Sequence, residues 1–290
     1  MNKQRLLFKL FKILPLKTFG MLFLVAMAFG GGWYAYEVKV ARPAMSYMGV
    51  PEGEADIKNL VHILRNRAFL VGYSEWLGNP LWVTYKIIPK QYHRIGKRPS
   101  FQADWRSPFP VTPDDYTGSH YDRGHLAPNY VIASRYGREA QKETFLMTNI
   151  TPQKGRLNRK IWQRLEEVAA DYFSKWYPEV WVITGPIFDD QPKRFKKAPR
   201  VAIPNAFYKI FIRPATAENP EPKMLAFIMP QNANPKASLM QYVVSVDAVE
   251  AATGLDFNAE LPDALEDKVE ARSYPKQWKL PSVARLKSRY

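Results

Sequence analysis

Apolar and polar positions divide the chain into recognisable segments. Residues 18–36 carry no charge and at a helical rise are long enough to cross a bilayer. A linker with Pro43, Gly49, Pro51 and Gly53 follows. Helix-like apolar spacing over residues 57–64 predicts a short helix. Residues 69–73 and 81–87 read as strands joined through Gly78-Asn79-Pro80, a plausible hairpin. Residues 89–118 read as a loop, basic at its start. The clearest helix is 158–176, where Ile161, Trp162, Leu165, Val168, Ala169, Tyr172, Phe173 and Trp176 recur at three- and four-residue spacing. Strands are expected at 146–150, 180–184, 206–212 and 224–229. A final helix is expected at 245–253, with Gly254 as its stop. Strands precede, flank and follow a central helix without strict alternation, which favours an α+β fold over a doubly wound sheet.

Composition sharpens this picture. With 290 residues, 46% hydrophobic and 14% aromatic, the chain can bury a full core, and 24 prolines point to many loops and strand ends. There is no cysteine, which excludes disulfides, thiolate metal sites and cysteine nucleophiles. Forty-two bases against 27 acids give a net charge of +15. Removing residues 1–17, which hold Lys3, Arg5, Lys9, Lys12, Lys17 and no acid, still leaves +10. The positive charge therefore belongs to the body of the protein and suits a polyanion such as nucleic acid, or an anionic membrane surface. The same basic flank ahead of residues 18–36 marks an export signal. It is either an uncleaved anchor, with Trp33, Tyr34 and Tyr36 at the far interface, or a peptide cleaved near Ala26-Met27-Ala28. A buried core helix is the third reading. The expected organisation is residues 1–36 as signal anchor or signal peptide, 37–54 as linker and 55–290 as the functional domain, on the far side of the membrane or secreted.

Three polar stretches carry candidate chemistry. Tyr121-Asp122-Arg123-Gly124-His125-Leu126-Ala127-Pro128 concentrates an acid, a guanidinium, a glycine and an imidazole. Thr148-Asn149-Ile150-Thr151-Pro152-Gln153 follows, and Leu157-Asn158 then opens the helix. Cleaving a phosphodiester requires a base for water and neutralisation of charge on phosphate and leaving oxygen. His125 suits the base, because its ordinary pKa lies near the working pH. Asn158 can offer an amide oxygen to a hard cation such as Mg²⁺. Asn158, Trp162 and Glu166 lie four apart on nearly one helix face, so Glu166 could hold a water of that cation with Trp162 packed beneath. Taken singly, His125 is an ordinary surface or hydrogen-bonded histidine, Asn158 a helix cap, Glu166 a solvated carboxylate and Asp122 a turn or loop anchor. Their joint occurrence favours the catalytic reading.

These motifs, with Trp82-Val83-Thr84-Tyr85, Val182-Ile183-Thr184-Gly185-Pro186 and Ala226-Phe227-Ile228-Met229-Pro230, closely resemble the DNA/RNA non-specific endonucleases, a family with endonuclease G among its members. The resemblance covers roughly residues 66–257 and implies the His-Me finger (ββα-metal) fold, with a central mixed or antiparallel sheet flanked by helices. It also implies Mg²⁺, or Mn²⁺, as cofactor, DNA and RNA as substrates, and hydrolysis without sugar preference. Carried onto this chain, His125 becomes the general base, Asn158 the metal ligand, Glu166 a partner of the metal's water shell, Arg123 a phosphate contact and Asn149 a residue that orients the centre. The upstream arginine of the family has its nearest match in Arg98, with Arg94 and Arg106 as alternatives. Further expected partners are the membrane, through the N-terminal segment, and a second copy of the chain. The competing reading is a cell-surface nucleic-acid-binding module with little or no hydrolysis.

Overall fold

The computed structural model describes residues 16–53, 61–92 and 95–288, and the chain divides into two compact units, Met1–Ala44 and Met45–Tyr290. In the first unit, helix α1 (Leu16–Tyr36) continues through a wider π-helical turn, Glu37–Ala41. The stretch Gly20–Met45 is the one helical segment among the described residues long and apolar enough to cross a membrane.

The second unit contains all eleven described strands. They are β1 (Glu52–Gly53), β2 (Val61–Arg65), β3 (Phe69–Ser74), β4 (Asn79–Ile87), β5 (Asp122–His125), β6 (Ile150–Gln153), β7 (Val180–Ile187), β8 (Ala206–Arg213), β9 (Lys223–Pro230), β10 (Val243–Val244) and β11 (Leu255–Asp256). Seven form one sheet in the order β10-β9-β8-β7-β4-β3-β2, and every neighbouring pair is antiparallel. Strands β5 and β6 form a separate antiparallel pair. Helix α2 (Asn129–Glu143) is interrupted at Gly137. Helix α3 runs over 157–176 with π-helical turns at Leu157–Trp162 and Ala169–Phe173. Helices α4 (Val246–Thr253) and α5 (Asp263–Glu270) follow.

The sheet is buried on both faces, which explains why its inner strands read as near-continuous apolar runs. Alternation assigns the faces. On β8, Phe207 and Phe211 pack with Leu126, Val131, Trp162 and Phe173 of the α2–α3 layer. Tyr208, Ile210 and Ile212 pack on the opposite face with Val246, Val249 and Phe257. Burying a large side chain such as Phe173 or Trp162 stabilises the fold by about 1.5–3 kcal/mol each. By the same parity Lys209 projects toward α3, into an apolar layer.

The fold class agrees with the α+β expectation, as do the hairpin β3–β4, helix α3, and strands β7, β8 and β9, with ends shifted by a few residues. Three local expectations are corrected and one element is new. Of the helix expected over 57–64, residues 57–60 lie outside the described residues, while Val61–Arg65 is edge strand β2, paired with β3. Apolar residues spaced for a short helix also fit a half-exposed strand, and pairing decides. The strand expected over 146–150 is a 3₁₀ turn at Met147–Asn149, and strand β6 begins only at Ile150. Helix α2 has no counterpart in the sequence reading, because its polar run broken by Gly137 lacks a sustained apolar stripe. Helix α4 starts with Ser245 Oγ accepting from Ala248 N and stops at Gly254 in the left-handed region (φ 65°), yet it is not the last helix: α5 follows it.

Candidate active site

Strands β5 and β6 and the start of α3 form a ββα unit on the α2–α3 side of the sheet. Their register pairs Asp122 with Gln153, Gly124 with Thr151 and His125 with Ile150. A Cβ on Gly124 would lie 2.2 Å from Gln153 Oε1 and 2.6 Å from its Cγ, so the buried Gln153 side chain occupies the space that the glycine leaves open. A cleft of about 910 Å³ opens over this unit. Its walls include Arg98, Phe101, Asp122, Arg123, His125, Asn158, Arg159 and Glu166.

His125 is half-buried between aromatic rings. Its centroid lies 5.4 Å from Phe101 and 4.8 Å from Phe145. Nε2 is enclosed and has no hydrogen-bond partner, which leaves Nδ1 as the nitrogen open to the cleft. Burial, and then the nearby Arg98 guanidinium, push its pKa from 6.5 down to about 3, because the protonated ring loses hydration and meets like charge. The imidazole is therefore neutral at pH 7.

Across the cleft, Asn158 donates from Nδ2 to Asp122 Oδ2 at 2.9 Å. That bond fixes the amide's orientation and leaves its oxygen as the acceptor available to the cleft. Asp122 also accepts from Arg159 Nε at 2.8 Å and Nη2 at 2.5 Å. Burial alone would raise the Asp122 pKa, but the bonds from Arg159 and Asn158 hold its carboxyl below the ordinary range.

Glu166, two turns further along α3, also lines the cleft. Its Oε1 lies 3.3 Å from Nζ of fully buried Lys209, which sits 4.6 Å above the buried ring of Trp162. Burial pushes the Glu166 carboxyl up and the Lys209 amine down, and each charge partly offsets the other's shift. The Glu166 carboxylate and the Asn158 amide oxygen are hard oxygen donors in one cleft, which fits a divalent cation such as Mg²⁺.

The structure brings His125, Arg123, Asn158, Glu166 and Arg98 into this one cleft. Arg123 donates from Nη2 to Pro113 O at 2.9 Å and lies 5.2 Å from the Phe101 ring. Of the alternatives to Arg98, Arg106 is turned away and clamped on buried Asp104, with Nη2 to Oδ2 at 2.7 Å, and Arg94 lies outside the described residues. Asn149 does not reach the cleft. It is fully buried, accepts from Ala127 N at 2.9 Å, and donates to Ala127 O at 3.1 Å and Thr144 O at 2.9 Å. It clasps the turn that follows His125. Sequence reasoning missed Lys209, although a lone lysine inside the run Ala206–Arg213 was a readable anomaly. Arg159, which directly follows Asn158 in the sequence, is paired with Asp122. The acidic trio Asp247, Glu250 and Glu270 belongs to the opposite side of the sheet and not to this cleft.

Comparison with known proteins bears on this geometry. The DNA/RNA non-specific endonuclease family matches residues 54–264. The mitochondrial nuclease of Saccharomyces cerevisiae is 30% identical over 224 residues, covering 70% of this chain and 67% of the relative. The nuclease of Serratia marcescens is 32% identical over 200 residues, with 66% and 73% covered. Human mitochondrial endonuclease G is 28% identical over 217 residues, with 69% and 71% covered. Among solved structures, that of the EndoG/EndoGI complex, described as showing the mechanism of EndoG inhibition, superposes with a TM-score of 0.62 at 26% identity, over 72% of this chain and 90% of that one. With the ββα unit, the antiparallel sheet and most of the chain's length in common, the chain belongs to the DNA/RNA non-specific endonuclease family, enzymes that hydrolyse phosphodiester bonds.

Proposed function

We propose that the chain is a Mg²⁺-dependent endonuclease that cleaves both DNA and RNA, with His125 as general base. The observation that carries this reading is His125, with Nδ1 open, in the same cleft as the Asp122-oriented Asn158 amide. His125 Nδ1 takes a proton from the attacking water as the water oxygen bonds to phosphorus and the bond to the leaving oxygen breaks. Arg98 and Arg123 offset charge on the phosphate oxygens. Asn158 would hold the cation through its amide oxygen, and Glu166 would reach its water shell. When bound, the ion neutralises charge on phosphate and leaving oxygen. Asn149 holds the turn after His125 and so positions the base.

The groups gathered here address phosphates, which supports tolerance of sequence and sugar, and cleavage should fall steeply with salt. The uncharged stretch 18–36, preceded in sequence by five bases and no acids over residues 1–17, supports an exported enzyme held at the membrane and facing away from the cytoplasm. The test is purified full chain in non-ionic detergent with plasmid DNA or RNA, with Mg²⁺ or EDTA. Wild type should cleave both in Mg²⁺ and neither in EDTA, and His125→Ala should lose at least about a hundredfold in rate. Undiminished cleavage by the variant would overturn the assignment. Tight binding without cleavage by wild type would favour the surface-binding reading.

A further inference from the structure

Beside the cleft, three loops are bonded into one surface that the cleavage chemistry does not use. Loop 101–110 presents Trp105, 88% exposed, and Phe109, 70% exposed, and the β3–β4 loop presents Trp76, 53% exposed. Solvating such large rings forgoes their burial energy, and these loops are not slack. Buried Asp104 accepts from Arg106 and from Thr148 Oγ1 at 2.7 Å. Ser107 Oγ donates to Glu75 Oε2 at 2.7 Å, and Arg200 Nη1 donates to Pro110 O at 3.1 Å. The third loop, 192–200, contains five bases and no acid, and Lys193, Lys196, Lys197 and Arg200 are exposed. Its Arg194 donates to Trp76 O at 3.1 Å and lies 5.5 Å from the Trp76 ring. Phe195 anchors this basic loop under the cleft, its ring 5.1 Å from Tyr116 and 5.7 Å from Tyr121, both cleft-lining residues.

We infer that this surface is a docking platform for unpaired nucleic-acid strand, which it holds next to the cleavage cleft. The inference deepens the nuclease reading and rests on it for the meaning of the adjoining site. Exposed rings interleaved with cations match the two faces of a single strand, since bases stack on the rings while phosphates follow the lysines. A duplex offers the same phosphates but hides its base faces. The platform therefore selects single strands over duplex through Trp105 and Phe109, and adds strength without selection through Lys196 and Lys197.

The test measures binding in EDTA, where no cleavage is needed. Full chain in non-ionic detergent is titrated into a fluorescent oligo-dT 20-mer and into a 20-base-pair duplex. The Trp105→Ala/Phe109→Ala variant should bind the single strand at least about tenfold more weakly, through loss of two stacking partners, with duplex affinity changed less than about twofold. The Lys196→Ser/Lys197→Ser variant should weaken both, and flatten the single-strand salt slope by about 1.4. Unchanged single-strand affinity in the aromatic variant, with its thermal transition intact, overturns the platform. So does an equal loss on single strand and duplex. If the aromatic variant instead loses only contact with anionic lipid vesicles, read by brominated-lipid quenching of tryptophan, the surface belongs to a membrane and the proposal fails. A wild-type chain that binds through these rings but never cleaves would sink the nuclease reading and leave the platform standing.

Discussion

Lys209→Met separates the chemistry of the site from the packing beneath it. Methionine keeps most of the stem's volume between Phe207 and Phe211 and deletes only the charge that faces Glu166. Lys209 is fully buried and Glu166 has 18% side-chain exposure, with 3.3 Å between Nζ and Oε1. At an effective dielectric of about 20 the attraction over that distance is about 5 kcal/mol. Removing one partner of a buried pair costs roughly 3–5 kcal/mol, and the residual exposure of Glu166 puts this variant at the lower end. The sign depends on pH. Burial already raises the Glu166 pKa, and losing Lys209 raises it further. A carboxyl with a raised folded pKa contributes stability below its unfolded pKa and loses it as pH rises through the folded value. The variant should therefore be at least as stable as wild type near pH 4, where protonation of Glu166 leaves the buried Lys209 ammonium of the wild type unpaired, and clearly less stable at pH 8. Its cleavage should also need higher pH, because the ionised carboxylate is harder to form. Urea denaturation at the two pH values and a pH–rate profile read these effects. In a double-mutant cycle, Lys209→Met/Glu166→Gln should recover much of the lost stability, with a coupling of about 1.5 kcal/mol or more. Equal destabilisation at both pH values, or additive single effects, would refute the pairing argument.

Three other variants probe the rest of the site. Asp122→Asn keeps shape but weakens the hold on Asn158 and Arg159, so the Mg²⁺ concentration for half-maximal rate should rise several-fold, with about 1 kcal/mol or less lost in stability; an unchanged metal dependence would count against the Asn158 assignment. Gly124→Ala forces the Gln153 side chain aside and should cost about 1–3 kcal/mol, measured by thermal melting, with a matching loss of cleavage. Because the His125 pKa lies near 3, the base stays neutral well below pH 6.5. The fold refuses a proton that the unfolded chain accepts, so stability should rise with pH between about 3 and 6.5, and His125→Phe should remove that part of the slope.

What the sequence made legible follows the range of the interactions involved. Strands β7, β8 and β9 and helix α3 declare themselves locally, because burial on two sheet faces or one helix stripe imprints a period on neighbouring residues. Residues 61–65 and 146–153 do not, since short stretches take their form from the partner strand, and Val61–Arg65 becomes a strand only by pairing with β3. Helix α2 is held through buried Arg135, whose guanidinium donates to Ile88 O at 3.0 Å and Ala170 O at 2.7 Å. Such anchoring leaves no apolar stripe to read.

The site divides along the same line. His125 and Asn158 stand out because their motifs are dense, but what makes them useful is set by residues far away in sequence. Phe101 and Phe145 enclose the imidazole, Asp122 turns the Asn158 amide, and Lys209 faces Glu166 across 43 positions. The last of these was open to a parity argument. In Ala206–Arg213 the residues two before and two after Lys209 are both phenylalanines of the α3-facing layer, so a charge there had to meet an opposite charge on α3 or go unpaired. Glu166 is the carboxylate it meets. A lone ionisable residue in an otherwise apolar strand, with its face assigned by alternation, therefore points to the helix that carries its partner.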